Sequence, residues 1–244
     1  MNKNKTNFMT VTIVLFLLFL TSIFKFDMIE QLLVLIIKPK DFFVTRESLF
    51  ELAKHHIFIV VVSSSLSVFI AVSIAILTRF PLLNELEEFV LGIAIFGQTI
   101  PTVAILALLV PFLGYGFKPA LVALFIYGIL PVLRNTIEGF NAISEEVKES
   151  ARAVGMNPLQ VMSKVELPLA FPAILAGIRV SLILNISVAT IGAVVGLRGF
   201  GTLIINGIRS SDIMMVLKGA IPVSLLALTV ESFFMSLEKR LQSH

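Results

Sequence analysis

Between Lys5 and Lys25 the chain runs for 19 residues without Asp, Glu, Lys or Arg, between Lys54 and Arg79 for 24, and between Glu88 and Lys118 for 29. A helix that crosses a bilayer takes about 20 mostly apolar residues, because in hydrocarbon every backbone N–H and C=O must be paired within its own segment. These three runs are therefore read as spans. Pro119 to Leu133 adds only 15 uncharged residues, which reach spanning length if Lys118 and Arg134 snorkel to opposite interfaces. Leu167 to Leu197 holds 31 residues broken only by Arg179, and Ile213 to Leu237 carries just Lys218 and Glu231 toward its ends. Six spans result, in an all-α integral membrane fold. With 57% hydrophobic and 14% charged residues, the chain is too apolar for a soluble domain or a disordered one.

The chain has no cysteine, which excludes disulfides, Cys-based metal sites and a thiol nucleophile. No basic block with interleaved aromatics points to nucleic acid, and no His or carboxylate cluster points to a metal. The first span follows Lys3 and Lys5, as a secretory signal would, but Thr21-Ser22-Ile23-Phe24 offers no small-x-small cleavage pattern, so a retained anchor is expected. Residues 1–48 are assigned to this anchor and a following loop, in which Leu32 to Ile37 is too short to cross and is expected as an interfacial or surface-packed helix. Residues 49–244 are assigned to the main transmembrane domain. With both termini inside, each side receives nine Lys and Arg; setting aside the five in the loop between spans one and two leaves nine inside against four outside.

The longest polar stretch after residue 54 runs from Arg134 to about Glu166, between spans four and five, and the loop it forms is placed at about 141–168. Ser144 with Glu145 and Glu146 can start a helix, Gly155 can end it in the left-handed conformation, and Asn157-Pro158 can open a second. Two short helices joined by a sharp turn are predicted.

This stretch carries Glu149-Ser150-Ala151, three residues, Gly155, nine residues, Val165, one residue and Leu167-Pro168. It resembles the EAA loop of ABC importer permeases, with Ser150 and Val165 as small departures. Gln98-Thr99-Ile100-Pro101, the run from Pro131 to Thr136, Lys164 to Ala170, Ala176 to Arg179 and the Gly-rich stretch Gly196 to Gly201 further resemble the glycine betaine, carnitine and choline permeases. The likeness runs from about Leu49 to Leu241. It implies a multi-pass permease of the bacterial inner membrane with cytoplasmic termini, paired with a second permease subunit, two copies of an ATP-binding subunit and an extracytoplasmic substrate-binding protein. It also implies that Glu149, Ser150, Ala151, Arg152, Gly155, Pro158, Leu167 and Pro168 couple to the ATPase. ATP and Mg would then be held by that partner, with no cofactor in this chain. Small residues allow close approach to a partner, Glu149 offers a docking charge, and Gly155 with Pro158 sets the angle between the helices.

Ser181, Asn185, Gly192 and Gly196 fall near one face of span five, where a polar stripe should turn away from lipid. Two readings stand: path lining, or helix packing through Asn185 and a GxxxG at Gly192 to Gly196. Gln98, Thr99 and Pro101 lie mid-span, where a kink is expected; with Tyr127 they complete the candidate substrate path. Residues 192–207 hold five of the fourteen glycines, which suits a turn or re-entrant loop, and Gly196, Gly199 and Gly201 are a candidate outer gate or an ordinary tight connection. Arg179 is expected to snorkel or to meet a carbonyl.

No Asp or Glu lies in mid-span, which disfavours a proton-coupled transporter but not a sodium-coupled one. An intramembrane enzyme would need HExxH or a nucleophile constellation that the chain lacks. A permease for another small solute, such as an amino acid, is the nearest alternative.

Overall fold

The structure, a computed structural model, describes residues 3–37, 48–80 and 83–241; the segment of the first loop around Lys38, Lys40 and Arg46 lies outside them. Helix is the expected answer for backbone that must satisfy itself in lipid, and the described residues form no strand. Four helical stretches are long and apolar enough to cross: α3 (Leu49–Leu77), α6 (Phe117–Asn141), the continuous run Pro158–Val195, and α11 (Ile213–Leu241). Two bent pairs raise the number to six if each is one span.

The first bent pair is α1 (Lys3–Phe24) and α2 (Phe26–Ile37), whose described parts meet at 87°. Helix α1 packs along α11, where Thr12 Oγ1 and Ser232 Oγ are 2.8 Å apart. Lys218 of α11 reaches Glu30 of α2 at 2.9 Å and lies over the Phe26 ring. The apolar island thus belongs to a helix turned across the end of its span.

The second bent pair corrects the third span. In place of one kinked helix there are α4 (Leu86–Thr99) and α5 (Thr102–Leu113), set at 95°. Pro101 has no N–H and forces the preceding residue out of the helical region, so Ile100 is extended at φ −76°, ψ 129° and the helix stops outright.

The predicted fourth span is longer than its uncharged core. Helix α6 continues for two turns past Leu133, and Arg134 faces outward in an ion pair with Glu138 at 2.8 Å. Helices α3, α6 and α9 (Leu167–Ile191) form the centre of the bundle. Because lipid tails are as apolar as leucine, such helices associate through close packing and hydrogen bonds more than through hydrophobic burial. Two glycines permit that approach. A Cβ on Gly177 would meet the Pro131 carbonyl at 2.8 Å, and one on Gly128 would meet Asn185, Ser67 and Ser181 side chains at 2.8 to 2.9 Å.

The end of span five corrects a second expectation. Gly192–Val195 is a 3-10 turn and Gly196 is left-handed at φ 83°, so Gly192 and Gly196 do not share a helical face. The Leu197 N–H donates to the Gly192 carbonyl at 3.1 Å, folding the chain back on itself into α10 (Phe200–Ser210). Asp212 then starts α11, its Oδ1 accepting from the backbone N–H of Met214 and Met215 at 2.9 and 3.1 Å. Arg179 pairs across to Glu231 at 2.7 Å and Glu238 at 3.1 Å, tying α9 to α11 instead of reaching a carbonyl.

Candidate coupling site and candidate path

Helix α7 spans Glu145–Ala153 and begins at Ser144, whose backbone is extended although its side chain makes no capping bond. Within α7, Glu145 is flanked by Lys148 at 3.2 Å and Arg152 at 2.9 Å, and these two hydrogen bonds hold its carboxyl below the usual carboxylate range. Gly155 sits at φ 87°, a conformation that side chains with a Cβ rarely adopt. Asn157 caps the next turn in a reciprocal box: its Oδ1 accepts from the Gln160 N–H and its own N–H donates to Gln160 Oε1, both at 2.9 Å. Pro158 occupies the first helical position, where its missing N–H costs nothing.

The second short helix is not separate. Helix α8 (Pro158–Val161) continues through a π-turn at Met162–Glu166 directly into α9. A proline inside a helix clashes with the carbonyl four residues before it; the widened turn, with the Leu167 N–H donating to the Met162 carbonyl, makes room for Pro168. The end of the hairpin is therefore the end of span five, and a displacement of α8 is a displacement of that span.

Of the motif residues, Glu149, Ser150, Arg152, Gly155 and Pro158 are exposed on the hairpin, whereas Ala151 is buried against it. Leu167 packs on the cluster around Phe140 and Met162, and Pro168 is exposed. Three apolar side chains stand out beside them: Val147, Val154 and Leu159, with Val154 76% exposed.

Sequence reasoning missed the residue behind the hairpin. Arg79, just past α3, donates to Asn141 Oδ1 at 2.7 Å at the end of α6. It lies 3.9 Å from Glu87 at the start of α4 and 3.6 Å from Glu166 in the π-turn. Asn141 in turn donates to Glu87 at 3.2 Å, and the Arg79 guanidinium lies over the Phe140 ring. A cavity of about 370 Å³ opens beside it, lined by residues that include Arg152, Met156, Pro158 and Glu166. Each of these polar groups sits at the boundary of a helix, and Glu166 occupies the unassigned position between Val165 and Leu167 of the motif.

The candidate path residues divide into two sets. Gln98, Thr99, Pro101 and Tyr127 meet at the α4–α5 break. Gln98 donates to the Tyr127 carbonyl at 2.7 Å, the Tyr127 hydroxyl donates to the Ile100 carbonyl, and Thr99 donates to the Phe96 carbonyl at 2.8 Å. Tyr127 and Thr99 thus pair backbone carbonyls at the break through side chains, while Gln98 serves the Tyr127 carbonyl of α6 that Pro131, having no N–H, leaves open. Ser181 and Asn185 instead lie fully buried where α3, α6 and α9 cross. Ser181 donates to the Gly128 carbonyl at 2.8 Å, and Asn185 Nδ2 donates to Ser64 Oγ at 2.9 Å. Ser67 donates to the Phe125 carbonyl at 3.2 Å. Within this chain these residues face helices and not an open passage.

Of the candidate gate, Gly199 packs against His56, where a Cβ would stand 3.0 Å from Nδ1, and Gly201 abuts the Thr190 carbonyl so closely that no Cβ fits. Both serve to seat α10 on the ends of α3 and α9, and Gly196 makes the turn that leads there.

Residues 67–243 match the family described as the binding-protein-dependent transport system inner membrane component. The chain is 42% identical over 187 residues to the carnitine transport permease protein OpuCB of Listeria monocytogenes, covering 76% of this chain and 84% of that protein. It is 38% identical over 187 residues to the choline transport system permease protein OpuBB of Bacillus subtilis, covering 76% and 85%. Among solved structures, the MetNI methionine ABC transporter in an inward facing conformation superposes with a TM-score of 0.70 over 79% of this chain and 95% of that one, at 21% identity. That likeness shows a shared fold. With the family match covering the second part of α3, all of α6 and α9, the hairpin and α11, the chain belongs to the binding-protein-dependent inner membrane permeases of ABC importers.

Proposed function

We propose that this chain is the permease of an ATP-driven importer for quaternary ammonium compatible solutes, the class of glycine betaine, carnitine and choline. The observation that carries the coupling part is the hairpin itself. Val147, Val154 and Leu159 stand exposed among Glu145, Glu146, Glu149 and Arg152, a surface too apolar for water and too charged for lipid, which fits a protein partner. The partner of that surface is an ATP-binding subunit, which supplies the ATP and Mg site; two copies serve a pair of permease subunits. The hairpin then faces the cytoplasm, as do both termini, and the α10 end faces a substrate-binding protein outside. Support for the solute class comes from the carnitine and choline permeases at 42 and 38% identity.

A trimethylammonium group is held in water by cation–π attraction to aromatic rings. The candidate path residues Gln98, Thr99, Pro101, Tyr127, Ser181 and Asn185 include a single aromatic ring, which suits a path that passes the cation onward after a binding protein has selected it. The test is uptake of labelled glycine betaine, with choline and carnitine as competitors, in high-salt cells lacking their own osmoprotectant importers. The operon is supplied with and without this chain. Uptake that needs both this chain and the ATPase is expected. Absence of uptake, in an assembled complex whose ATPase is stimulated by a binding protein of other specificity, overturns the solute class and leaves the family.

A further inference from the structure

We infer that Arg79 and Glu166 form the clamp through which movement of the α7–α8 hairpin reaches α3 and α4 and keeps them in step with the end of α6. This rests on the importer reading above. Helix α7 packs on α8 and the π-turn, so a push on the hairpin arrives at the end of α6, to which the backbone links it at 142–144, as well as at Met162–Glu166. From there α9 receives it through the continuous backbone. Helix α6 is joined to α7 by that short link, but α3 and α4 have no backbone connection to the hairpin, and Arg79 supplies a link: a single guanidinium meets the π-turn at Glu166, the start of α4 at Glu87 and the end of α6 at Asn141, while its own backbone terminates α3.

The geometry suits a joint that moves. Arg79 Nε and Glu166 Oε2 are 3.6 Å apart, longer than a hydrogen bond, and both atoms are buried without a hydrogen-bonding partner. Charge attraction holds them while leaving the pair free to shorten or slide. The adjoining cavity of about 370 Å³ gives Glu166 room to do so. An anion site is the competing use of that cavity, but its two arginines are already faced by Glu87, Glu145 and Glu166, so no positive charge is left over to hold one. Arg79 touches neither solute nor nucleotide in this scheme and is a positioning residue. Removing one partner of a buried pair strands the other charge, so each single loss should harm coupling, and losing both should add nothing further.

The experiment uses the complete complex, with ATPase and binding protein, in proteoliposomes, and reads solute transported per ATP hydrolysed. Glu166→Gln and Arg79→Gln should each lower that ratio roughly 3- to 30-fold, the span expected for coupling residues, with the complex assembled and basal ATP hydrolysis retained. The double variant should be no worse than the worse single one, and Arg79→Lys should keep most of the ratio. An unchanged ratio in both singles, or losses that multiply in the double variant, overturns the clamp. So does failure of assembly in all four variants, which makes Arg79 a folding residue. The importer reading is judged separately, on whether the wild-type complex transports at all.

Discussion

The hairpin and the α3–α6–α9 junction are two polar regions of a largely apolar chain, and they are built in opposite ways. The hairpin uses full charges, keeps all those of α7 but Lys148 in solvent and leaves apolar side chains uncovered. The junction uses serines, an asparagine and a glycine, has no charge and is closed on every side within the chain. In water, polar residues mark the outside of a protein; in a bilayer they mark either a place where helices are held together or a place where the protein ends and a partner begins. Between these two regions, charge and exposure together make the distinction.

The sharpest break of that comparison comes from residues that change transport without touching stability. Glu149→Arg should reduce uptake to background while the protein stays folded in the membrane, because Glu149 is exposed and makes no internal bond that holds a helix. Gly155→Val should do the same through the turn: open space surrounds Gly155, but a side chain at φ 87° costs about 1–3 kcal/mol and changes the angle between α7 and α8. Uptake assays paired with membrane fractionation check both, and normal ATP-dependent uptake in both variants would remove the hairpin from the mechanism.

At the junction the signs reverse. Gly128→Val places methyl groups against Asn185, Ser67 and Ser181 and should destabilise the bundle by about 1–3 kcal/mol, read as a lower melting temperature of the detergent-solubilised protein. Asn185→Leu removes the bond to Ser64 and should cost about 1–2 kcal/mol in the same assay, with transport retained at a permissive temperature. Loss of transport without loss of stability in Asn185→Leu would return that residue to the path.

The smallest effect is a pH dependence. Glu145 is held below the ordinary carboxylate range by Lys148 and then Arg152, so its contribution to α7 is fully present above its unfolded value, near pH 4, and is lost only as pH falls through the lowered folded value. Hydrogen exchange across α7 should therefore be flat from pH 8 to about 5 once intrinsic rates are removed. A change centred near neutrality would contradict the pairing.

Much of this was readable in the residues, and the exceptions share a cause. Uncharged runs gave the spans, and Gly155, Asn157 and Pro158 gave the hairpin turn, because each signal is local: a length, a left-handed glycine, a cap. Pro101 announced a disturbance, but not that the helix would turn through 95°, with Tyr127 of α6 at hand to bond the Ile100 carbonyl and Gln98 tying α4 to α6. Gly192 and Gly196 have the spacing of a packing motif whether the backbone is helical or turning, so spacing alone misread them. The Ser181 and Asn185 stripe was visible, yet its packing depends on Gly128, which lies on another helix. Arg79 was invisible for the same reason: nothing near it in sequence signals that Glu87, Asn141 and Glu166 converge there.

The account stands on the hairpin being the seat of an ATPase. Since the chain has no cysteine of its own, a Ser150→Cys variant carries a single thiol on the exposed face of α7. In the assembled complex, a short bifunctional reagent at that thiol should join this chain to the ATP-binding subunit, with a yield that changes when ATP is added. A complex that co-purifies intact, accepts the reagent at position 150 and yields no product with that subunit would contradict it.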